Sequence, residues 1–366
     1  MTEPKNRYLS LDVLRGMDIA LMIVVNSPGS WSTTYSPLLH ASWHGFTLTD
    51  LVFPTFLFVV GNAMSFSMRK YENLGHGPFF KKVLKRSALI FLLGFLMYWY
   101  PFFEDGALRP ISQTRIFGVL QRIALCYLMA SVILRFVRLR AALWWGLAIL
   151  VAYHIVLLVF GDLTLEGNAV LKLDRWLIGP DHMYHGEGIA FDPEGLLSTF
   201  PAVVNVIIGY WAGSFIQRKG QNHGTVAKLM MAGFALTVAA LAWDLLLPIN
   251  KKLWTSSFVL LTSGIDLMVL GCLVHVLDIK KTRGWTPFFE VFGKNPLFIY
   301  LLSEIFVITL FAISVHGGSL YHWIAENVFI SWAGGHLGSL LFALWVMLSC
   351  WWVGRLMDKR GIYIKV

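Results

Sequence analysis

Ten long apolar runs limit the folds that this chain can adopt. A transmembrane helix needs about 20 mainly apolar residues, because lipid offers no partner for exposed backbone polar groups. The runs therefore predict an all-α, polytopic membrane bundle of about ten transmembrane helices, built as a single domain over residues 1–366. The expected spans are residues 10–28, 47–68, 87–103, 116–136, 141–160, 196–216, 228–247, 255–277, 294–313 and 333–354.

The composition agrees with a membrane protein. The chain is 57% hydrophobic and only 14% charged, and its mean hydropathy is +0.64. A soluble domain of this length would need far more polar surface. The 15 Trp, 12 Tyr and 27 Phe residues suit aromatic belts at two membrane interfaces. No cleavable signal peptide is expected, because the polar N-terminus is long and the first apolar run has no small-residue cleavage site.

The basic residues predict the orientation of the bundle. If the spans alternate from a cytoplasmic N-terminus, 22 of the 30 Lys and Arg residues fall on the cytoplasmic side and six in outer loops. Cytoplasmic loops are enriched in Lys and Arg, so both termini are predicted to be cytoplasmic. This placement explains the net charge of +9 without a nucleic-acid partner. The cytoplasmic set is Lys5, Arg7, Arg15, Arg69, Lys70, Lys81, Lys82, Lys85, Arg86, Arg135, Arg138, Arg140, Arg218, Lys219, Lys228, Lys280, Lys281, Arg283, Arg355, Lys359, Arg360 and Lys365.

The cysteines and the lack of repeats exclude some classes of protein. Cys126, Cys272 and Cys350 lie far apart inside apolar runs, so we expect neither a disulfide framework nor a CxxC metal site. No internal repeat is evident, which weakens the case for an inverted-repeat transporter.

Two histidines stand just before the second span and its Asp50. His40 and His44 could bind a metal ion together with His182 and His185 of the longest outer loop, hydrogen-bond to loop backbone, or move protons near neutral pH. The sequence has no HExxH motif and no cysteine near the pair, so no metal is expected. Asp50 is a candidate to orient one of the histidines.

Polar side chains also lie within or at the ends of spans, where they are costly and usually face a cavity or a partner. Asn26 ends the first span, Gln121 and Arg122 lie in the fourth, and Lys294 and Asn295 begin the ninth. The candidate counter-charges are Asp18, Asp50, Asp244 and Glu304.

Each of these features also has a purely structural interpretation. Asp12 would pair with Arg15 three residues later, and Arg122 with one buried carboxylate, only to neutralise charge. The stretch NKKLWTSSF (250–258) could bind an anionic or sugar ligand, or could anchor the chain at the interface. The residues alone leave both an enzyme and a proton-coupled sugar transporter open.

Several blocks of the sequence resemble the heparan-α-glucosaminide N-acetyltransferase family of transmembrane acyltransferases. They occur in the family's order along nearly the whole chain. The blocks are RYLSLDVLRGMDIALMIVVN (7–26), HASWHGFTLTDLVFPTFLFVVGNAMSFS (40–67), RIFGVLQRIALCY (115–127), LIGPDHMYH (177–185), AFDPEGLLSTF (190–200), NKKLWTSSF (250–258), GKNPLFIY (293–300) and the tail IKV.

The resemblance implies transfer of the acetyl group of cytosolic acetyl-CoA to the amino group of a terminal glucosamine beyond the membrane. His40 matches the active-site histidine and Asn26 a second implicated residue, and Asp50 would orient the histidine. His44 stands where the family often has Asn, and Asp18 stands in a stretch that is usually apolar. These departures bear on the acceptor more than on the reaction type.

Further roles are expected by analogy and by charge. Acetyl-CoA would be held by Lys294, Asn295, Arg122 and Gln121, and the acceptor by His182, His185, Glu194, Lys252 and Trp254. The alternatives are an O-acetyltransferase of envelope glycans and the sugar transporter. The chain looks like a compact prokaryotic-type member without the luminal domain of the animal enzymes. We therefore expect it in the bacterial inner membrane, in contact with membrane lipid and compatible with a homodimer.

Overall fold

The computed structural model describes residues 8–71, 74–104 and 106–364. Residues 1–7, 72–73, 105 and 365–366 lie outside the described residues. Lys5, Arg7 and Lys365 of the basic set and the last two residues of the IKV block are among them.

Helices form most of the described chain, in agreement with the all-α prediction. They are α1 (Leu9–Asn26), α2 (Leu48–Ser67), α3 (His76–Trp99), α4 (Val119–Phe136), α5 (Leu139–Phe160), α6 (Ala169–Ile178), α7 (Leu196–Lys219), α8 (His223–Asp244), α9 (Ser256–Leu273), α10 (Thr286–Lys294), α11 (Pro296–Ala312), α12 (Leu320–Ile324), α13 (Ser331–Ala333) and α14 (Gly335–Lys359). Wider π-helical turns follow α9 at Val274–Ile279 and α12 at Ala325–Ile330. Two small antiparallel hairpins pair β1 (Phe103–Glu104) with β2 (Ala107–Leu108), and β3 (Ser314–Val315) with β4 (Gly318–Ser319).

Seven helices of the described chain are long and apolar enough to cross a membrane, and the bent pair α10–α11 would make an eighth. They make the chain an integral membrane protein. Helices also lie at the first and third predicted spans, but α1 carries Asp12, Arg15 and Asp18, and the first half of α3 is strongly basic. The number of about ten spans and the side of the termini remain predictions.

The ninth predicted span departs from a simple straight helix. α10 and α11 meet at 85°, with Asn295 between them. Pro296 is the first residue of α11, and its missing backbone N–H prevents α10 from continuing through it. α10 instead packs against α1, where Gly16 faces the carbonyl oxygen of Phe289 and Gly293 that of Asp12.

Close approach of glycines holds the central helices together. A Cβ at Gly61 of α2 would overlap the Val206 carbonyl of α7, and one at Gly209 of α7 would overlap the Phe58 carbonyl of α2. Small residues allow this approach, which favours helix association in lipid. The pair α2–α7 thus fixes one wall of the bundle interior.

The loops at the ends of α1, α5 and α8 pack together over a second, smaller apolar core. This core includes Tyr153, Leu157, Phe191, Leu247 and Leu253. A hydrogen bond of 2.7 Å from the Trp43 indole to the Leu163 carbonyl joins two of these loops. Two loops are therefore held in place as a cap on the bundle. One carries His40, and the other carries the turn DPEG at 192–195, called the DPEG turn below.

Candidate functional site

A cavity of about 370 Å³ lies where these loops meet the ends of the helices. Its wall combines apolar side chains from α1, α2 and α4 with charged and polar groups from both the helices and the loops. The lining residues are Met22, Val25, Asn26, Trp31, His40, Ala41, Thr49, Asp50, Val52, Phe53, Phe56, Tyr98, Arg115, Val119, Ile123, Tyr184, Glu187, Pro193, Glu194, Lys251, Lys252, Tyr300 and Glu304.

His40 and Asp50 form a hydrogen-bonded pair in this cavity. His40 Nδ1 lies 2.7 Å from Asp50 Oδ1, and the backbone N–H groups of Ala41 and Thr47 donate to Oδ2 at 3.1 and 3.0 Å. Asp50 is the third residue of α2 and caps its N-terminus while it holds the imidazole. With Nδ1–H donating to this acceptor, Nε2 is left as the basic ring nitrogen. The predicted orienting role of Asp50 is thus compatible with the geometry.

Lys251 approaches the same imidazole from the turn between α8 and α9. Its Nζ lies 3.0 Å from Nδ1 and 3.2 Å from Nε2 of His40, and 3.8 Å from Asp50 Oδ1. Asn250 shapes the turn, because its side-chain oxygen accepts from the Leu253 N–H at 2.8 Å. The turn is tied to the histidine loop by Gly45 N–H, which donates to the Ile249 carbonyl at 2.8 Å.

The surroundings of His40 favour its neutral form. Loss of water around the ring lowers the pKa of His40, the Lys251 ammonium lowers it further, and Asp50 and Glu194 only partly oppose them. Burial likewise lowers the pKa of Lys251, against the pull of Asp50 and Glu194. A neutral imidazole at neutral pH is able to accept a proton.

The other side of the cavity is built around Arg115. Its guanidinium binds Asp192 at 3.0 and 2.6 Å and Glu194 at 2.6 Å. It lies between the rings of Tyr98 and Tyr184, 4.9 and 4.8 Å from their centroids. Burial acts to raise the pKa of Glu194, but Arg115, Arg122 and Lys251 outweigh it and leave that pKa below its usual value. Glu194 therefore offers a carboxylate beside the cavity.

Asn26 also lines the cavity. It is the last residue of α1 and contributes to the lining together with Tyr300 and Glu304 of α11. The structure thus brings Asn26, His40 and Asp50 to one cavity, and their catalytic roles remain a prediction.

The residues expected to bind the acceptor are only partly at the cavity. Glu194 and Lys252 line it, and Lys252 also binds Glu187 at 2.5 Å. His182 instead interacts with the Thr114 carbonyl at 2.8 Å, and His185 is exposed outside the lining.

Trp254 and Arg122 lie behind the cavity wall rather than in it. The Trp254 indole is buried and donates to Asn205 at 3.1 Å, and the Arg122 guanidinium lies 4.7 Å from its ring centroid. Arg122 donates to the Pro193 carbonyl at 2.7 Å and to Ser198. It therefore supports the DPEG turn through carbonyls and a hydroxyl, and not through the single buried carboxylate partner considered from the sequence.

Gln121, Lys294 and Asn295 lie away from the cavity. Gln121 is buried against Gly94 of α3. Lys294 binds both Asp358 oxygens, at 2.9 and 3.1 Å, so its charge is paired within the chain. Asn295 bonds to the backbone of the C-terminal tail at Ile362 and Ile364. Lys294 and Asn295 thus hold the C-terminal segment, and the role of all three residues in acetyl-CoA binding remains a prediction.

The sequence did not single out several cavity residues. Lys251 and Arg115 lie in two of the quoted blocks and Glu187 lies in the longest outer loop, but no sequence pattern joins residues so far apart in the chain. Tyr98 gave no signal, since an interfacial tyrosine is ordinary. His44 lies 3.3 Å from the side-chain amide of Asn250, a side-chain contact and not the bond to loop backbone considered from the sequence.

Across the residues that the structure describes, no group of three or more His, Cys, Asp and Glu side chains could hold a metal ion. The expectation that no metal takes part remains a prediction.

The helices and the site together define an integral membrane protein. Its polar cavity, with a histidine–aspartate pair, lies at one end of the helical bundle. Residues 7–247 match the family model that describes the catalytic region of heparan-α-glucosaminide N-acetyltransferase. The match covers well over half of the chain, and the chain belongs to this family. The resemblance seen in the sequence blocks is confirmed.

Two relatives are similar over most of the chain. Human heparan-α-glucosaminide N-acetyltransferase is 29% identical over an alignment that covers 82% of this chain and 53% of the human protein. The mouse protein of the same name is 28% identical, with 82% of this chain and 54% of the mouse protein covered. The chain thus spans about half the length of the curated relatives it matches.

Proposed function

We propose that the protein transfers the acetyl group of acetyl-CoA to the amino group of glucosamine, or of a terminal glucosaminide, at the outer face of the membrane. The observation that carries the proposal is the His40–Asp50 pair at 2.7 Å, in a cavity that Asn26 also lines. Both relatives are named for N-acetylation of a glucosaminide.

The residues of the cavity suit each part of this reaction. Neutral His40 takes a proton at Nε2 from the unprotonated acceptor amine as the new N–C bond forms and the thioester C–S bond breaks. The departing thiolate takes up a proton to become the CoA thiol. Asp50 holds the imidazole in the required tautomer and stabilises the imidazolium.

Asn26 would stabilise the carbonyl oxygen of the reacting thioester. A neutral amide N–H donor aimed at the developing oxyanion is typical of acyl transfer. The apolar wall formed by Met22, Val25, Phe53 and Phe56 suits the acetyl group and the thin arm that carries it. Glu194 and Glu187 are placed to receive the ammonium and hydroxyls of the acceptor sugar.

The test is turnover of purified protein with acetyl-CoA and glucosamine. We expect His40→Ala to lower the rate by about a hundredfold to ten-thousandfold, and Asn26→Ala by about a hundredfold or more. His44→Gln is the matched control and should retain most of the activity, because His44 is not in the cavity lining. Thermal melts of each variant exclude unfolding.

Two further measurements fix the reaction class and the path. Acetylation of hydroxyl-only sugars in place of glucosamine would favour an O-acetyltransferase, and uptake of labelled sugar without acetyl-CoA would favour a transporter. Mass spectrometry of protein incubated with acetyl-CoA alone would detect an acetyl group on His40 if the transfer has two steps. Full activity of folded His40→Ala would contradict the proposal.

A further inference from the structure

A second concave surface lies on the outside of the bundle, between the start of α5 and the end of α7. This groove has a volume of about 450 Å³ and shares no lining residue with the His40 cavity. It is lined by Leu139, Arg140, Leu143, Trp211, Phe215, Arg218 and Lys219. On α7 the positions 211, 215 and 218 follow the helical repeat, so these side chains share one face.

The groove has an apolar floor and a cationic end. Trp211 and Phe215 stack with centroids 5.4 Å apart and planes 13° from parallel. The three cations of the lining, Arg140, Arg218 and Lys219, are exposed, and no acidic residue is part of the lining. No ion pair found among the described residues includes any of the three. Arg218 Nε donates only to the Ser214 carbonyl, at 3.2 Å.

The cationic end of the groove lies at the N-terminus of α5, which also favours an anion there. α5 begins at Leu139, and the first N–H groups of a helix have no intrahelical partner and carry the positive end of its dipole. One turn further along α5, Trp144 and Trp145 are 73% and 60% exposed. Exposed tryptophans beside a basic cluster are typical of a membrane interface. The three cations also belong to the set predicted to be cytoplasmic.

We infer that this groove binds an anionic phospholipid of the cytoplasmic leaflet. The headgroup phosphate would contact Arg140, Arg218 and Lys219, and an acyl chain would lie along Leu143, Trp211 and Phe215. Basic pockets between membrane helices on this side suit anionic headgroups, and guanidinium groups suit phosphate. A second copy of the chain docked symmetrically here would bring like charges together, so lipid is the occupant that the charges favour.

Native mass spectrometry of the detergent-purified protein with phosphatidylglycerol and with phosphatidylcholine tests this inference. We expect a preference for phosphatidylglycerol in the parent protein. The triple variant Arg140→Gln/Arg218→Gln/Lys219→Gln should bind phosphatidylglycerol at least about tenfold more weakly and phosphatidylcholine unchanged. Trp211→Ala should weaken binding of both lipids, because it removes part of the acyl-chain surface.

The matched control is Lys228→Gln/Lys280→Gln/Lys359→Gln, which removes three exposed lysines of the same predicted side from outside the groove. The inference is overturned if this control loses the lipid equally, or if the groove triple variant still binds the lipid like the parent.

Displacement of phosphatidylglycerol by acetyl-CoA would assign the groove to the donor nucleotide instead. A change in oligomeric state without a change in bound lipid would assign it to a second copy. Thermal melts and the single variant Arg140→Gln guard against misfolding of the triple variant.

Discussion

At the scale of single residues, the unusual feature of the cavity is a lysine beside the proposed base, His40. Lys251 Nζ lies 3.0 Å from one nitrogen of His40 and 3.2 Å from the other. A positive charge at this distance disfavours the imidazolium, so it helps keep His40 neutral. We regard Lys251 as a residue that tunes the base rather than one that reacts.

Replacing Lys251 with glutamine should therefore change the pH dependence of the reaction. In the proposed mechanism activity requires neutral His40 and falls as the pH drops through its pKa. Lys251 lowers that pKa, so its removal raises the pKa and moves the acid limb of kcat/KM to higher pH. The measurement is kcat/KM against pH with one acceptor. The acceptor amine titrates in the same way for every variant, so a shift between variants comes from the protein.

Lys252→Gln serves as the control, because Lys252 binds Glu187 and the Ser42 carbonyl instead of His40. Its acid limb should stay where the parent protein has it. An acid limb that stays fixed, or moves to lower pH, in Lys251→Gln would show that Lys251 does not act on His40.

Contacts between residues that are close in sequence can be predicted better than contacts that form only when distant segments fold together. His40 and Asp50 are ten positions apart and belong to one capped helix start, so their pairing could be proposed. Lys251 reaches His40 across 211 positions, and no pattern within either stretch reveals that contact. Arg122 was expected to need a carboxylate, but backbone carbonyls and an indole ring surround it in a turn that only the fold creates.

At the scale of helices, apolar length was a good guide because lipid leaves few ways to satisfy the backbone. Helices lie at all ten predicted positions. The 85° break at Asn295 was not anticipated, although Pro296 was visible in GKNPL. Proline within an apolar run permits either a kink or an end, and packing of α10 on α1 decides between them.

The contact between α2 and α7 depends on Gly61 and Gly209. A methyl group at either position would overlap backbone of the other helix, so we expect each Gly→Ala variant to lose about 1–3 kcal/mol of stability. Because α2 carries Asp50, acetyl transfer should fall as well. Gly77→Ala in α3 is the control, since a Cβ there meets nothing within 4 Å. Equal melting temperatures for all three variants would contradict this account of the packing.

Lys294 should act on stability and not on the donor substrate. Its pair with Asp358 joins α10 to α14, and Asp358 also accepts from Tyr363 in the tail at 2.9 Å. We expect Lys294→Ala to cost about 1 kcal/mol and to make the tail more sensitive to protease. Calorimetric titration should show an unchanged affinity for acetyl-CoA, with Lys359→Ala as a surface control. Weakened acetyl-CoA binding at unchanged stability would restore the donor-binding role suggested by the sequence.

At the scale of the whole molecule, the number of spans decides which compartments the reaction can join. Seven spans would place the termini on opposite sides, whereas eight or ten would return them to the same side. The charge distribution favours cytoplasmic termini, because basic residues are retained on the cytoplasmic side. In that orientation the cavity, which is built from the loops around His40 and Glu194, faces outward.

Cysteine labelling in intact cells tests this orientation. Cys126 and Cys350 are buried, so Cys272→Ala provides a background with little reactivity. Glu166 lies in the loop predicted to be outside and Gln221 in the turn between α7 and α8 predicted to be cytoplasmic, and both are exposed. We expect Glu166→Cys to react with a membrane-impermeant maleimide in intact cells, and Gln221→Cys only after permeabilisation. The reverse pattern would turn the His40 cavity toward the cytoplasm, and donor and acceptor would then have to meet on the same side as free acetyl-CoA.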